Sequence, residues 1–588
     1  MDKFFNHLIL GITSTYNHTH DNSMAIVKRG KVLFAASEER YSRIKHDGSF
    51  PQKAIKGALD HLKLKASSIN SIAVGYPKRK ILSVLYHKYF YEIIPFTLSI
   101  LTNRNFGLLK DSLSLSKLLY EKSSENKKYE ILRNKKIIYV DHHLAHAASA
   151  YYTGGFDKCI SVALDAFGSK NSGQIRSGAV FLCKDGEMKE IMSVPIFASL
   201  GLFYMSVTYA LGFKPGDGEG KTMGLAAYGN PKKLYGALRL YSPSFKNGIW
   251  KPGKDWLAGM LTSIPRLSYL FRSTKFGKFL GSLLNQVKKE DIAAAAQKIL
   301  EEELLKLVSY LIKRYPDYNN ICLSGGVFLN VKANKKIMEL PVVKNIFIHP
   351  NAGDGGVALG AAFIVSPPKI LQQTVNQPLV SCGLGDSFTD NQILKTLKGY
   401  AGKIVYKKHD DIVSYTVDKI LEEKVIGWFQ GRAEWGPRAL GFRSVLADPR
   451  KIEVKDRINE VLKNREWFMP FAPSILEEEG SSYFKNFRSS PFMTIVFDVI
   501  SGKEKLFKAA LHIDNTARPN SVNKQNNPLY YKLLEEFHKK TDLPILLNTS
   551  FNRHGLPIVN SPKDAIDHLI MGAVDELIIE SYSAIRKD

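Results

Sequence analysis

Apolar and polar positions alternate from the first dozen residues of the chain. LILGI, Leu8 to Ile12, reads as a strand, and SMAIVKRGKVLFAAS, from Ser23, reads as two more joined by an Arg-Gly turn at 28–31. The same shape returns later, where ISVALDAFG is followed by SGAVFLCKDGEMKEIMSV, a strand and then a hairpin with an acidic-glycine turn. Two hairpin sheets with matching opening strands predict an internal duplication. Residues 78–128, rich in Leu, Tyr and Phe with interspersed lysines, predict amphipathic helices inserted between the halves. A long helix is expected over 293–315, then a buried strand and glycine turn in ICLSGGVFLN, then another helix from GDGGVALGAAFI. Periodicity lapses between 367 and 389 into Pro, Gln and Ser. Beyond about 403 the short apolar runs VIGWFQ, IVFDVI, LPILLN and ELIIE alternate with helices expected at 456–463 and 530–539. The expected organisation is α/β with two domains, 1–366 and 403–588, and a linker over 367–402.

Length agrees with that division, since 588 residues exceed what one core organises. No run of about 18 uninterrupted apolar residues occurs, so no membrane span is expected. MDKFFNHLILGITSTYN lacks a small-residue cleavage site and reads as a first strand rather than a signal segment. Cys159, Cys183, Cys322 and Cys382 are scattered through apolar stretches, unlike a disulfide framework, and predict a reducing cytoplasm. Lys and Arg number 82 against 56 Asp and Glu, a formal charge of +26. Nucleic acid, an anionic membrane and phosphorylated small substrates would all satisfy that excess, and part of it is diffuse surface lysine.

The densest chemistry is DHHLAHAASAYY, from Asp141. His142 and His146 are spaced i, i+4, so on a helix they share a face as two ligands of one metal would, while polar capping of a core helix is the alternative. Asp165 closes the strand ISVALD, and Asp354 lies in PNAGDGG, where glycines let backbone approach a ligand. Two imidazoles and two carboxylates suit iron, manganese or zinc better than calcium.

DHHLAHAASAYYTGGF, GEGKTMGLAAYG, SGGVFLNVKAN, PNAGDGGVALGAA, GRAEWGPRALGFRSVLADPR and LNTSFNRHGLPIV, in this order across nearly the whole chain, resemble the motif series of the NodU/CmcH O-carbamoyltransferases. The resemblance implies an actin-like (ASKHA-type) duplicated first domain, similar to the tRNA threonylcarbamoyl transferases, and a YrdC-like mixed α/β second domain. It implies that carbamoyladenylate is made from carbamoyl phosphate and ATP, with Mg-ATP as co-substrate, and that the carbamoyl group then passes to a hydroxyl of a small-molecule acceptor. His142, His146, Asp165 and Asp354 map onto the family's metal ligands, with iron the foremost expectation.

The two phosphorylated substrates bring about six negative charges, which calls for fixed cations. GRAEWGPRALGFRS offers Arg432, Arg438 and Arg443, KNREWF offers Lys463 and Arg465, and TARPNSV offers Arg518. YrdC-like domains pair Lys-x-Arg with Ser-x-Asn, and Lys463 and Arg465 with Ser550 and Asn552 resemble that set, with Lys455 and Arg457 as the rival pair. In the first domain Gly325, Gly326 and Asn330 are expected to cradle the adenylate, with Glu219 and Lys221 beside them; GDGEGKT lacks P-loop spacing. YNHTHDNSMA resembles the family's acceptor-side segment through His20, Asp21 and Ser23, with His20 expected to orient or deprotonate the hydroxyl and His18 next in line. The chain departs from the family at Met469 and Leu556, where an arginine and a glutamate are usual.

Two other readings share parts of this evidence. Threonylcarbamoyl transfer to tRNA would use the basic charge, but the motif spacing on one chain and the lack of a basic stripe with interleaved aromatics argue against it, so no nucleic acid is expected. A non-catalytic nucleotide-binding scaffold would need neither carbamoyl phosphate nor metal.

Overall fold

The structure is a computed structural model and describes residues 7–14, 21–77, 131, 135–264, 267–463 and 466–587. The helical segment expected over 78–128, together with His18, His20 and Arg465, lies outside the described residues. β1 (Leu8–Ile12), β2 (Ser23–Lys28), β3 (Lys31–Ser37), β4 (Ser71–Val74) and β5 (Lys136–Tyr139) form one sheet in the order β3-β2-β1-β4-β5. The first three are antiparallel, and β4 and β5 join in parallel.

A second sheet repeats this plan. It contains β6 (Cys159–Ser169), β7 (Ile175–Lys184) and β8 (Glu187–Pro195). After a small hairpin of β9 (Ser244–Lys246) and β10 (Ile249–Lys251) it adds β11 (Asn320–Ser324) and β12 (Asn345–Ile348), giving the order β12-β11-β6-β7-β8. Strand directions match the first sheet position for position. The duplication expected from the two hairpins therefore extends to whole sheets.

Each half then turns its fifth strand into a helix: His142–Gly154 follows β5, and Val357–Val365 follows β12. Both are rich in alanine, and Ala145, Ala148, Ala358, Ala361 and Ala362 are fully buried where the helices meet. A β-carbon on Gly360 would lie 1.7 Å from the Ala145 carbonyl oxygen, so only glycine permits this approach. That contact brings together the starts of two helices that come from opposite halves.

The second domain is built on an eight-stranded mixed sheet, ordered Ile404–Lys408, Tyr582–Arg586, Glu576–Ile579, Ile426–Phe429, Arg443–Ala447, Ile545–Ser550, Ala472–Leu476, Asn520–Val522. Its central strands Ile426–Phe429 and Glu576–Ile579 are buried throughout and, Glu576 apart, apolar, as burial on both faces requires. IVFDVI does not join this sheet; Phe497–Asp498 pairs with Thr516–Ala517, Val499 bridges to Phe484, and at the domain seam Lys335 Nζ holds Asp498 Oδ1 at 2.6 Å. Within 367–402, helices form at Pro368–Thr374 and Asp390–Gly399, and Ile393 and Leu397 of the latter enter one core with Phe429 and Leu569.

The domains share further contacts. Arg40 donates to the Gly436 carbonyl at 2.9 Å, Asn334 to the Thr494 carbonyl at 2.9 Å, and the Trp435 ring lies edge-on to His349 at 5.2 Å. The four cysteines are buried and unbridged. Among the described residues no helix is long and apolar enough to cross a membrane.

Candidate active sites

The first site sits where the two helix starts converge. Asp141 precedes the first helical turn, which directs His142 and His146 from one face, while Asp354 opens a short 3-10 turn leading into Val357–Val365. Asp165 lies inside β6 rather than at its end, at a break in the β6/β7 pairing between Leu164 and Gly168 that releases it from the ladder. Nε2 of His146 is 3.2 Å from Asp165 Oδ2 and 3.5 Å from Asp354 Oδ1; the matching distances from His142 Nε2 are 3.6 and 3.7 Å.

Each carboxylate has one oxygen engaged elsewhere and presents the other. Asp165 Oδ1 accepts from the Ala166 amide at 2.7 Å, and Asp354 Oδ2 accepts from the Tyr76 hydroxyl at 2.7 Å. Among the described residues neither histidine finds a directed hydrogen-bond partner through either ring nitrogen, although both side chains are wholly buried. Buried polar atoms are normally satisfied, so four converging donor atoms without aligned bonds fit a shared cation. All four ligand atoms lie within 4.8 Å of one another. Burial pushes the Asp165 carboxyl up, but the His142 and His146 rings overcome it and hold it well below the usual carboxylate range. Burial likewise lowers His146, and Asp165 and Asp354 raise it to about 9, so the carboxylates demand positive charge between them.

Gly168 guards this arrangement, since a β-carbon there would lie 2.2 Å from His142 Cδ2. Gly168→Ala is expected to displace the ring, cost about 1–3 kcal/mol of stability and weaken metal retention, measurable by thermal melting and metal analysis. Gly325 and Gly326 lie behind Asp165: a β-carbon on Gly325, at φ +93°, would meet the Leu164 carbonyl at 2.0 Å, and one on Gly326 would sit 2.9 Å from Asp165 Oδ1. Asn330 caps the next helix through the Ala333 amide and pairs with Gln297, so its amide is engaged within the fold.

Beside this site lies a charged cluster of which the sequence motifs include only Asp21. His46 Nδ1 is 2.7 Å from Asp21 Oδ1, its Nε2 is 3.0 Å from Asp217 Oδ1, and Lys45 Nζ reaches the same Asp217 oxygen at 2.9 Å. Burial lowers His46, and the two aspartates raise it to about 10. The His46 hydrogen bond, against burial and helped by Lys45, holds Asp217 well below its usual range. Because the folded pKa of His46 exceeds its unfolded 6.5, the stability it contributes is complete below pH 6.5 and lost as pH rises through about 10. His46→Gln is therefore expected to destabilise the chain by about 1–3 kcal/mol at pH 6 and by much less at pH 10, read from denaturant curves at both values. Ser23 anchors the same segment by donating to the Gly355 carbonyl, next to Asp354.

The second domain gathers a different set. Its helix Ile452–Ile458 widens into a single π turn over Asn459–Lys463, and so the expected 456–463 helix ends early. Lys463 turns inward, with Nζ 2.6 Å from the Ser550 carbonyl, 3.0 Å from its hydroxyl, and 3.1 and 3.2 Å from the Asn552 carbonyl and side-chain oxygens. The rival pair goes elsewhere: Arg457 bonds Asp575 at 2.9 Å on the surface. Asn552 also donates to the Leu556 carbonyl at 2.7 Å, so the position that lacks the usual glutamate contributes through its main chain.

The arginines divide. Arg443 is fully buried and donates to the carbonyls of Gln430, Phe442, Asp386 and Gly431, stacked 3.6 Å from the Phe429 centroid. Arg432 donates to Gly385, Leu384 and Leu33. Both brace the fold through these main-chain carbonyls, while the buried Arg443 Nε has no hydrogen-bond partner among the described residues. Arg438 has no hydrogen bond or ion pair to a described residue, and burial alone lowers it to about 10. Arg518 lies near His512, which burial, aided by Lys332 and Arg518, pushes down to about 3. Lys221 pairs with Glu466 across the domain seam at 2.7 Å, and Glu219 accepts from the Gly216 amide at 2.9 Å, so the lysine expected at the adenylate is held by a carboxylate.

The family model "Carbamoyltransferase N-terminus" matches residues 8–363, and "Carbamoyltransferase C-terminus" matches residues 417–586. Nodulation protein NolNO of Sinorhizobium fredii is 33% identical over 96% of this chain and 78% of its own. Nodulation protein NolO of Bradyrhizobium diazoefficiens is 35% identical over 76% of this chain and 79% of its own, and an uncharacterized protein of Synechocystis is 33% identical over 98% and 96%. The solved HypF of T. kodakarensis covers 61% of this chain and 47% of its own at 16% identity, with a TM-score of 0.31, too loose to bear on either fold or function.

Proposed function

Because the chain belongs to the NodU/CmcH-type carbamoyltransferase family and is a transferase, we propose that it makes carbamoyladenylate in its second domain and passes the carbamoyl group to an acceptor hydroxyl in its first. The observation that carries this reading is the pairing of two separate built sites on one chain: Lys463 among the Ser550 and Asn552 oxygens, and His142, His146, Asp165 and Asp354 around one point. The Lys-x-Arg with Ser-x-Asn arrangement supports a YrdC-like second domain.

In the first step water hydrolyses carbamoyl phosphate to carbamate and phosphate, and a carbamate oxygen then attacks the α-phosphorus of Mg-ATP, expelling pyrophosphate. Lys463, Arg438 and Arg518 supply positive charge for the phosphates, with Arg438 suited by having no hydrogen bond or ion pair to a described residue. In the second step the acceptor oxygen attacks the carbamoyl carbon, AMP departs, and the hydroxyl proton moves to a base. His142, His146, Asp165 and Asp354 would hold an iron, manganese or zinc ion, which would supply Lewis acidity to the transfer. Tyr76 orients Asp354, and the Asp21–His46–Asp217 cluster fixes charge on the acceptor side beside Ser23. His20 is the proposed base and His18 its substitute. The acceptor is proposed to be a hydroxylated small molecule such as a sugar or natural product.

The test is pyrophosphate release from ATP by the purified chain, with and without carbamoyl phosphate. Release that requires carbamoyl phosphate supports adenylation. Its absence from folded, metal-loaded protein sinks this reading and favours a nucleotide-binding scaffold.

A further inference from the structure

The charge of the chain is not evenly spread. Residues 232–289 hold 12 of its Lys and Arg against a single acidic residue, Asp255, so this short part of the chain carries more than a third of the net charge of +26. In the β9 and β10 hairpin Phe245 and Trp250 are buried, which turns Lys246, Ile249 and Lys251 outward, with Ile249 directly opposite Lys246. The turn that follows adjoins this face: the Lys254 amide donates to the Leu240 carbonyl at 2.8 Å, and Asp255 accepts from the Phe276 amide at 2.8 Å, which ties in the helix Lys275–Leu284. Tyr241 stacks on Phe276 and Phe279 at 4.8 and 4.9 Å, so that helix turns its aromatic side inward and exposes Lys275 and Lys278. Leu240, Ile249 and Leu257 are 53, 63 and 50% exposed among these cations. Lys246, Lys251, Lys254, Lys275 and Lys278 are exposed as well, and none makes an ion pair or side-chain hydrogen bond to a described residue. Deeper-set cations of the same segment behave differently: Lys233 holds Asp291 and Arg239 holds Glu303.

We propose that this face docks on an anionic lipid surface, with the five lysines at the headgroups and Leu240, Ile249 and Leu257 entering the boundary beneath them. Lysines without protein partners give a diffuse attraction to a negatively charged leaflet, and each interleaved aliphatic side chain adds apolar burial that a fully hydrated partner does not reward. Nucleic acid fits less well: base readout and stacking call for arginines and exposed aromatics, and the outward positions of the hairpin are lysine and isoleucine. Among the described residues no helix is long and apolar enough to cross a membrane, so attachment through this face is peripheral and reversible. A small pocket behind the face is lined by Tyr241, Trp256 and Phe276 together with Ser199, whose hydroxyl donates to the Ala166 carbonyl at 2.7 Å, next to Asp165. Docking therefore turns the strand that carries Asp165 toward the lipid, where hydroxyls of a membrane-borne acceptor are presented. The docking itself does not rest on the proposed chemistry, because none of these lysines or aliphatic residues is placed in either site.

The test is co-sedimentation of the full chain with vesicles of phosphatidylcholine alone and of phosphatidylcholine containing about one-third phosphatidylglycerol, at low and at high salt. Binding to the anionic vesicles only, weakened by salt, is the expected result. Lys246→Gln/Lys251→Gln/Lys254→Gln is expected to weaken it about 100-fold, at roughly five-fold per lysine. Ile249→Gln/Leu257→Gln, which leaves the charge unchanged, is expected to weaken it about ten-fold or more. Lys395→Gln/Lys398→Gln/Lys424→Gln removes the same charge from exposed positions of the second domain and is expected to stay within about three-fold of wild-type. Melting is expected to be unchanged in all three variants, because every substituted side chain is exposed. Pyrophosphate release is expected to match wild-type in each, so a failure of docking and a failure of the enzymatic reading are told apart. No binding to anionic vesicles, equal binding to neutral ones, equal loss in the second-domain variant, or an aliphatic variant that binds as wild-type would each overturn the proposal. So would tighter binding of an RNA oligonucleotide that Ile249→Gln/Leu257→Gln leaves intact.

Discussion

Replacing His146 with alanine is expected to weaken metal binding more than about 100-fold and to lower carbamoyl transfer about 1,000-fold or more. The reason lies in the charge balance: His146 stands between Asp165 and Asp354 at 3.2 and 3.5 Å, and its loss leaves two ionised carboxylates facing a cavity with fewer donors. Asp354→Asn separates charge from shape, since the amide fills the same space and still meets Tyr76 while removing one negative ligand; it is expected to lose most metal without collapse of the fold. Metal content by mass spectrometry and transfer to an added hydroxyl substrate are the readouts. Pyrophosphate release should stay within about three-fold of wild-type in both variants, because it is assigned to the other domain. Parallel loss of both activities would place the metal in adenylation instead.

Lys463→Ala is expected to remove carbamoyl-phosphate-dependent pyrophosphate release, by about 100-fold to 10,000-fold, while retaining bound metal. Four oxygens surround Nζ between 2.6 and 3.2 Å, a cradle for a compact ammonium that a planar guanidinium does not fill, so Lys463→Arg should not rescue. Some of the effect will be structural. Removing the ammonium leaves inward-facing Ser550 and Asn552 oxygens short of a donor, at about 1–3 kcal/mol. Retained metal and a retained melting transition distinguish lost chemistry from lost fold.

Local pattern predicted the parts of the sites that are themselves local. His142 and His146 share a helical face because i and i+4 do, and the duplicated hairpins announced two related sheets. Where a cation spends its donors is not a local property. Arg432, Arg438 and Arg443 share one glycine-rich stretch, yet two bond main-chain carbonyls brought from 33 and 384 to 386 and from 430, 431 and 442, and one has no described partner. The same limit hid the Lys221–Glu466 pair and the His46–Asp217 pair, each joining segments remote in sequence. Tyr76 lies two residues beyond a buried strand and looks ordinary in sequence, and its hydroxyl donates to Asp354, a residue remote in sequence. Lys455 and Lys463 could not be ranked by spacing, because the π turn that rotates Lys463 inward breaks the helical period on which spacing arguments rest.

The central claim is that two chemistries occupy two sites on one chain, and it is tested most directly by measuring pyrophosphate release and carbamoyl transfer side by side in His142→Ala and Lys463→Ala proteins. The account predicts release without transfer in His142→Ala, and neither in Lys463→Ala. Release that survives in Lys463→Ala, or disappears with His142, would contradict it.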